Sequence, residues 1–311
     1  MMNKPGPIAC VTGATGMIGS RIIRKLLASG FLVQALSRHN GINIPGLEWF
    51  HGEITDESLL EKFLQNSRFL FHCAAELRDQ SQMWEVNVKG TERLLHQAHN
   101  AGVEFLCHLS SADVVGETGR AWVDEASPCN PLTEYERSKW HGEQIAAQSK
   151  ISRIVILRPT MTIDTERPGI LTLAMRGSLL DRLKLLIKGG EFAHQVHAED
   201  VAAAALFFVD RSVASAQCYF VSLDDDPFNT VAGYWRLCQA YRRKQPVEEV
   251  KPLRHLPLIV PHVLRRLLRG RANRGDVRYS SRRLLESGFS FPLGVKGAVW
   301  QIMSEQKEVY N

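Results

Sequence analysis

Long apolar runs are missing from this 311-residue sequence. No stretch approaches the ~20 apolar residues that a membrane-crossing helix needs, so a helical span is not expected. Cysteine is scarce and carries no pairing pattern: the six, at 10, 73, 107, 129, 218 and 238, form neither C-x-x-C nor C-x-x-H. A zinc site or a disulfide framework is therefore not expected, and Cys10, Cys73 and Cys107 read as small buried hydrophobes in or beside strand candidates. Histidines 96, 99 and 108 have no partner at metal-ligand spacing, so no metal is expected. Internal repeats and low-complexity linkers are also missing, which argues for lobes interleaved in one body. The first strand begins within ten residues of the N-terminus, leaving no room for a signal peptide. These absences point to a reduced, cytoplasmic protein.

What is present alternates. Short apolar runs (Ile8-Ala9-Cys10-Val11, Phe31 to Leu36, Phe69 to Cys73, Phe105 to Cys107, Ile154 to Leu157) alternate with helical patterns near 17–29, 56–66, 83–101 and 134–149. That order predicts an α/β fold, a doubly wound parallel sheet with helices on both faces. The most informative stretch is Thr12-Gly13-Ala14-Thr15-Gly16-Met17-Ile18-Gly19, with a strand before it and a helix after it. Glycines 13, 16 and 19 allow a tight turn with bare backbone, and the helix N-terminus turns its N–H groups and positive dipole end toward a diphosphate. Far downstream stand Tyr135 and Lys139. Positions i and i+4 of a helix share a face, and a cation beside a phenol lowers its pKa toward general acid/base use. A solvated helix face is the alternative for such a pair taken alone.

The G-x-x-G-x-x-G spacing, the Tyr-x-x-x-Lys pair and Ser111, 24 residues upstream of that tyrosine, resemble the short-chain dehydrogenase/reductase superfamily. His72-Cys73-Ala74-Ala75, Asn87-Val88-Lys89-Gly90-Thr91, Arg158-Pro159-Thr160, Val196 to Val201 and Ser280 to Phe289, the last as its final helix, resemble its extended branch, the NAD-dependent epimerase/dehydratase family. The likeness spans nearly the whole chain. It implies a Rossmann fold over 1–165 and a substrate lobe over 166–311. It further implies that Ser111, Tyr135 and Lys139 are catalytic, Tyr135 taking the alcohol proton, Ser111 bonding the same oxygen and Lys139 holding the ribose while depressing the tyrosine pKa. Cofactor contacts are implied at Gly13, Thr15, Gly16, Met17, Ile18, Gly19, Ser37, Arg38, Glu53, Ile54, Ala74, Ala75, Tyr135, Lys139 and Pro159. Where NAD-binding members place an acid at the end of the second strand, this chain has Ser37-Arg38-His39. A small donor and a cation suit a 2′-phosphate, so NADP is favoured over NAD; a solvated loop arginine is the alternative reading of Arg38.

The later part of the chain is strongly basic. From Arg242 to Arg283 there are 13 Lys/Arg and 3 Asp/Glu, a net of +10 in a chain whose total is +5. Such asymmetry suggests an anionic partner. Arg274-Gly275-Asp276 resembles the turn whose arginine grips a substrate diphosphate, while the absence of an aromatic platform speaks against nucleic acid. Leu256 to Leu268 mixes apolar pairs with arginines; it reads as an ordinary amphipathic helix on the substrate lobe or as a contact with an anionic membrane. The expected activity is hydride transfer at a secondary alcohol or ketone, at carbon 4 of a nucleotide- or lipid-diphosphate-linked sugar of surface-polysaccharide synthesis, by an epimerase or ketoreductase. A 3β-hydroxysteroid- or dihydroflavonol-type reductase is the alternative within enzymes. A non-catalytic NADP-sensing regulator is the alternative outside them, and the complete Ser111/Tyr135/Lys139 set argues against it. Asp113 without a following Glu argues against a dehydratase. A homodimer through the helices near 85–100 and 135–149 is implied by the resemblance.

Overall fold

The alternation of apolar runs and amphipathic stretches produces a parallel sheet. The computed structural model describes residues 6–309 apart from 40, 214, 271 and 272. The chain opens with β1 (Ile8–Thr12), α1 (Gly19–Ala28), β2 (Leu32–Ser37), β3 (Leu47–His51) and α2 (Glu57–Phe63). It continues with β4 (Phe69–His72), α3 (Gln80–Trp84), α4 (Thr91–Asn100), β5 (Phe105–Leu109) and β6 (Trp122–Val123). Next come α5 (Glu134–Gln148), β7 (Arg153–Pro159), β8 (Met161–Ile163), α6 (Leu171–Arg176), α7 (Leu179–Lys188) and β9 (Gln195–His197). The remainder is α8 (Ala198–Phe207), β10 (Ser215–Val221), α9 (Val231–Arg243), α10 (Ile259–Arg269), β11 (Arg278–Tyr279), α11 (Arg282–Glu286) and α12 (Gly294–Val309).

Seven strands form the main sheet in the order β10-β7-β5-β4-β1-β2-β3. The pairs β1–β2, β2–β3, β1–β4, β4–β5 and β5–β7 are all parallel. The chain runs outward from β1 to β3 and then crosses to β4 on the other flank of β1, so the strand order reverses there. Open parallel sheets bind ligands beyond the strand C-termini at such a switch point. Thr12, the last residue of β1, is in register with His72, the last of β4. The glycine turn and the Ala74-Ala75 turn therefore leave the sheet side by side. Inner strands β4 and β5 are buried at every position, as strands covered on both faces must be.

Contacts divide the chain into two compact units. One comprises Met1–Gly116, Pro131–Arg158 and Val201–Tyr219; the other comprises Glu117–Asn130, Pro159–Asp200 and Phe220–Asn311. The first is built on a core that includes Leu60, Phe63, Leu70, Leu94, Leu106 and Ile154. The second has its own core around Tyr234, Leu237, Val299 and Ile302, with two-stranded pairings β6–β11 and β8–β9.

Three local features differ from the sequence reading. The stretch 83–101, expected as one helix, is α3, a π-helical turn over Glu85–Gly90, and then α4. That turn carries Asn87 toward α5, where Gly142 allows the approach: a Cβ on Gly142 would stand 2.8 Å from the Asn87 carbonyl oxygen. β3, not anticipated, is an edge strand with no fully buried residue, so it lacks a continuous apolar run. The helix expected over 280–289 is the five-residue α11, ended before Gly288, which has φ +93°.

Candidate active site

The turn after β1 is shaped by its glycines. Gly13 has φ +65°, and a Cβ there would lie 2.7 Å from the Ala74 amide nitrogen; only glycine tolerates both constraints. The Gly16 N–H donates to the Gly13 carbonyl at 2.9 Å, and α1 starts at Gly19, two residues later than its apolar pattern suggests. No side chain caps α1, and its first turn holds no acid, so its N–H groups suit an anion. Thr15 and Gly16 are exposed and Met17 and Ile18 half-buried along this turn. The residues present thus fit the diphosphate of a dinucleotide.

Beneath the turn runs a fully determined chain of hydrogen bonds. The Thr12 hydroxyl accepts from the Cys73 and Ala74 amides, each at 3.2 Å. Its one proton is left for His72 Nδ1, 2.8 Å away. His72 Nε2 therefore carries the ring proton and donates to Thr91 Oγ1 at 2.9 Å, and the Thr91 hydroxyl donates to the Asn87 carbonyl at 2.7 Å. Burial, with the Lys139 cation nearby, lowers the His72 pKa to about 3, which keeps the ring neutral. Asn87 completes the brace. Its amide donates to the Glu76 carbonyl and the Ser138 hydroxyl, both at 2.9 Å, and its carbonyl oxygen accepts from the Glu76 amide at 2.7 Å.

At the end of β2, Ser37 is buried and its hydroxyl lies 3.1 Å from that of Thr15. Arg38 is 59% exposed, with a guanidinium nitrogen 4.0 Å from Glu76. Ile54 is buried behind the exposed Glu53, whose carboxylate accepts from Thr55 at 3.4 Å.

The reacting groups meet at the ends of β5 and α5. A capping box starts α5: the Thr133 hydroxyl accepts from the Glu136 amide at 3.1 Å, and the Glu136 carboxylate accepts from the Thr133 amide at 3.0 Å. Tyr135 falls in the first turn and Lys139 one turn later. Ser111, extended just beyond β5, lies beside the Tyr135 phenol, and its hydroxyl favours the ionised phenol. The three expected groups are brought together.

Burial dominates their electrostatics. Burial pushes the Tyr135 phenol up to about 12, with Asp113 adding to the rise and the Ser111 hydroxyl opposing it. The Lys139 ammonium donates to the Leu109 carbonyl at 2.5 Å. Burial in turn lowers Lys139 itself from 10.5 to about 8. Between those pH values an unfolded chain keeps the proton that the folded chain has released, so this residue makes stability rise with pH across that window. Lys139→Met removes the effect. From pH 8 to 10.5 wild type should gain roughly 2–3 kcal/mol relative to the variant in urea unfolding; parallel curves would contradict the assignment.

Behind Lys139 lies a buried ion pair that sequence reading missed. Glu143, on the same face of α5, accepts from Arg158 Nε at 3.0 Å, Arg158 Nη2 at 2.5 Å and the Ser110 hydroxyl at 2.7 Å. The i+4 spacing from Lys139 to Glu143 was a signal for it. Pro159, next to Arg158, ends β7 and is buried. In the second unit, Arg274 is exposed and donates to Asp276 at 2.8 Å. On other elements of that unit, Arg182, Arg243 and Arg254 line a cleft of about 490 Å³ with Trp235 and Leu186. Among the described residues no cluster of metal-ligating groups occurs and no helix is long and apolar enough to cross a membrane. None of the six cysteines is in a disulfide.

The model of the NAD dependent epimerase/dehydratase family matches residues 9–220, which include the glycine turn, Ser111, Tyr135 and Lys139. The chain belongs to this family. As a member it is an enzyme of the extended short-chain dehydrogenase/reductase type. Among curated relatives, sterol demethylase protein B of Methylococcus capsulatus is 27% identical over 294 residues, 89% of this chain and 88% of that protein. UDP-glucose 4-epimerase of Vibrio cholerae is 30% identical over 194 residues, 58% of this chain and 56% of that one. The fold is shared with the Bordetella bronchiseptica enzyme WbmG in complex with NAD, at a TM-score of 0.74 and 18% identity, covering 99% of this chain and 96% of that one.

Proposed function

We propose that this family member interconverts a secondary alcohol and a ketone at carbon 4 of a diphosphate-linked sugar. The observation that carries the reading is the placing of Ser111, at the end of β5, beside the Tyr135 phenol, with Lys139 one turn along α5. A bound nicotinamide would supply the hydride acceptor and donor. Tyr135 takes the proton from the alcohol oxygen, or returns it to a ketone oxygen; Ser111 holds that oxygen by a hydrogen bond. Lys139 presents its ammonium from below, toward the nicotinamide ribose. The glycine turn, Ile54 and the Ala74-Ala75 turn hold the rest of the dinucleotide, and Pro159 bounds the nicotinamide end. The enzyme works in the cytoplasm as a homodimer formed through α4 and α5.

Support for an anionic sugar substrate is the basic stretch from Arg242 to Arg283, with Arg274 as a diphosphate ligand. A second reading, reduction of a steroid-like or dihydroflavonol-like ketone, is favoured by the near full-length likeness to sterol demethylase protein B. Incubation with UDP-glucose, followed by anion-exchange separation, tests the first; a new UDP-hexose peak supports it. NADPH oxidation on a 3-ketosteroid without any UDP-sugar turnover selects the second, and silence on both, and on other diphosphate sugars, overturns both.

NADP is the favoured cofactor, because Ser37 and Arg38 stand where an acid would bond a ribose hydroxyl. Arg38→Ala should weaken NADPH by about tenfold or more, the worth of one charge-assisted contact, and NADH by much less. Titration by fluorescence quenching measures both, and equal losses would refute the preference. Mass spectrometry of nucleotide released on denaturation adds a check: retained NAD would favour an epimerase.

A further inference from the structure

Two helices of the second unit are turned inside out. Surface helices of water-soluble proteins bury their apolar stripe. In α10 the stripe faces water: Ile259 is 61% exposed and Leu267 and Leu268 are each 78% exposed. The opposite side faces protein, with Pro261 buried and the Arg265 guanidinium bonded through two nitrogens to the buried Glu191, one contact at 2.9 Å. That forked pair fixes the rotation of α10 about its own axis. α7 repeats the arrangement. Its Asp181 and Leu185 are buried, while Leu179, Leu180 and Leu183 are 84%, 68% and 51% exposed. The Leu256 amide donates to the Leu186 carbonyl at 2.8 Å, tying the approach to α10 alongside α7. More than half of the large apolar side chains exposed among the described residues lie on these two helices.

Cations border the apolar faces. Arg182, Lys184 and Lys188 of α7 and Arg266 of α10 are exposed, and Arg182 also lines the cleft that Arg243 and Arg254 complete. We propose that α7 and α10 form a docking surface for an anionic phospholipid bilayer, with the leucines below the headgroups and the arginines and lysines at the phosphates. A second copy of the chain fits this surface poorly. A two-fold contact would set each basic rim against its own duplicate, like charge on like charge. The proposal does not depend on whether the substrate is a sugar or a steroid.

Sedimentation with vesicles of phosphatidylcholine, with and without phosphatidylglycerol, tests it. Wild type should pellet with the phosphatidylglycerol vesicles, weakly with pure phosphatidylcholine, and should be only partly released by high salt because apolar burial survives screening. The double variant Leu267→Glu/Leu268→Glu should lose at least about tenfold in partitioning. Both positions already face water, so its thermal unfolding should match that of wild type. Leu179→Glu/Leu183→Glu makes the same demand on α7 independently. Failure of wild type to bind anionic vesicles, or unchanged binding in both variants, overturns the proposal. So does a wild-type dimer that both variants convert to monomer, which would assign the face to a second copy.

Discussion

Tyr135→Phe should lower turnover by about 10³-fold or more while leaving dinucleotide binding within about twofold. The phenylalanine ring preserves the packing of the first turn of α5 and removes only the phenolic oxygen beside Ser111. Nothing else at the site can take over the proton: Asp113 is exposed, its amide bonded to Ser111 Oγ, and His108 is buried with its pKa held far below the ordinary value by burial. The direction of the pH dependence follows from the raised phenol. With its pKa near 12, Tyr135 is protonated at neutral pH. It is then ready to donate during ketone reduction, whereas alcohol oxidation needs the phenolate and should accelerate as pH rises. Steady-state rates in both directions, with dinucleotide titration of each protein, measure this. A variant that turns over within tenfold of wild type would remove Tyr135 from the chemistry.

Glu143→Ala should destabilise the protein by about 3–5 kcal/mol, the cost of leaving a buried charge without its partner. The Arg158 and Glu143 side chains are only 5% and 4% exposed, so water cannot replace the lost carboxylate. The Ser110 hydroxyl loses its acceptor in the same step. Replacing both members with apolar residues of similar size, Glu143→Met with Arg158→Met, should restore most of the loss, because the desolvation of two charges disappears along with their attraction. Urea unfolding of the single and double variants completes the cycle. If the single variant unfolds like wild type, the pair is not the brace beneath Lys139 that its geometry describes.

Much of the site was legible in sequence because its parts are local. The glycine turn needs only neighbours in the chain: a strand, a positive φ at Gly13 and a helix start. Tyr135 and Lys139 share a face by helical periodicity, and Thr133 with Glu136 marks where that helix begins. By contrast, Asn87, His72 and Thr91 act together only because β4 lies beside β1 and the π turn presses on α5 at Gly142. No spacing rule links residues 12, 72, 87 and 138. Likewise, helical spacing puts Lys139 one turn from Tyr135, whereas the Leu109 carbonyl that accepts from its ammonium is brought in by β5.

The sequence alone determined the parallel α/β class, the dinucleotide turn and the shared helix face of Tyr135 and Lys139, since each rests on interactions between residues a few positions apart. Ser111, 24 residues from Tyr135, entered through the family resemblance. Tertiary structure decided the switch point between β1 and β4, the burial of Lys139, and the Glu143–Arg158 pair. It also decided which side of α7 and α10 meets water. Periodicity reports that a helix has an apolar face; only the packing of the opposite face, with Arg265 held by Glu191, shows that this one is turned outward.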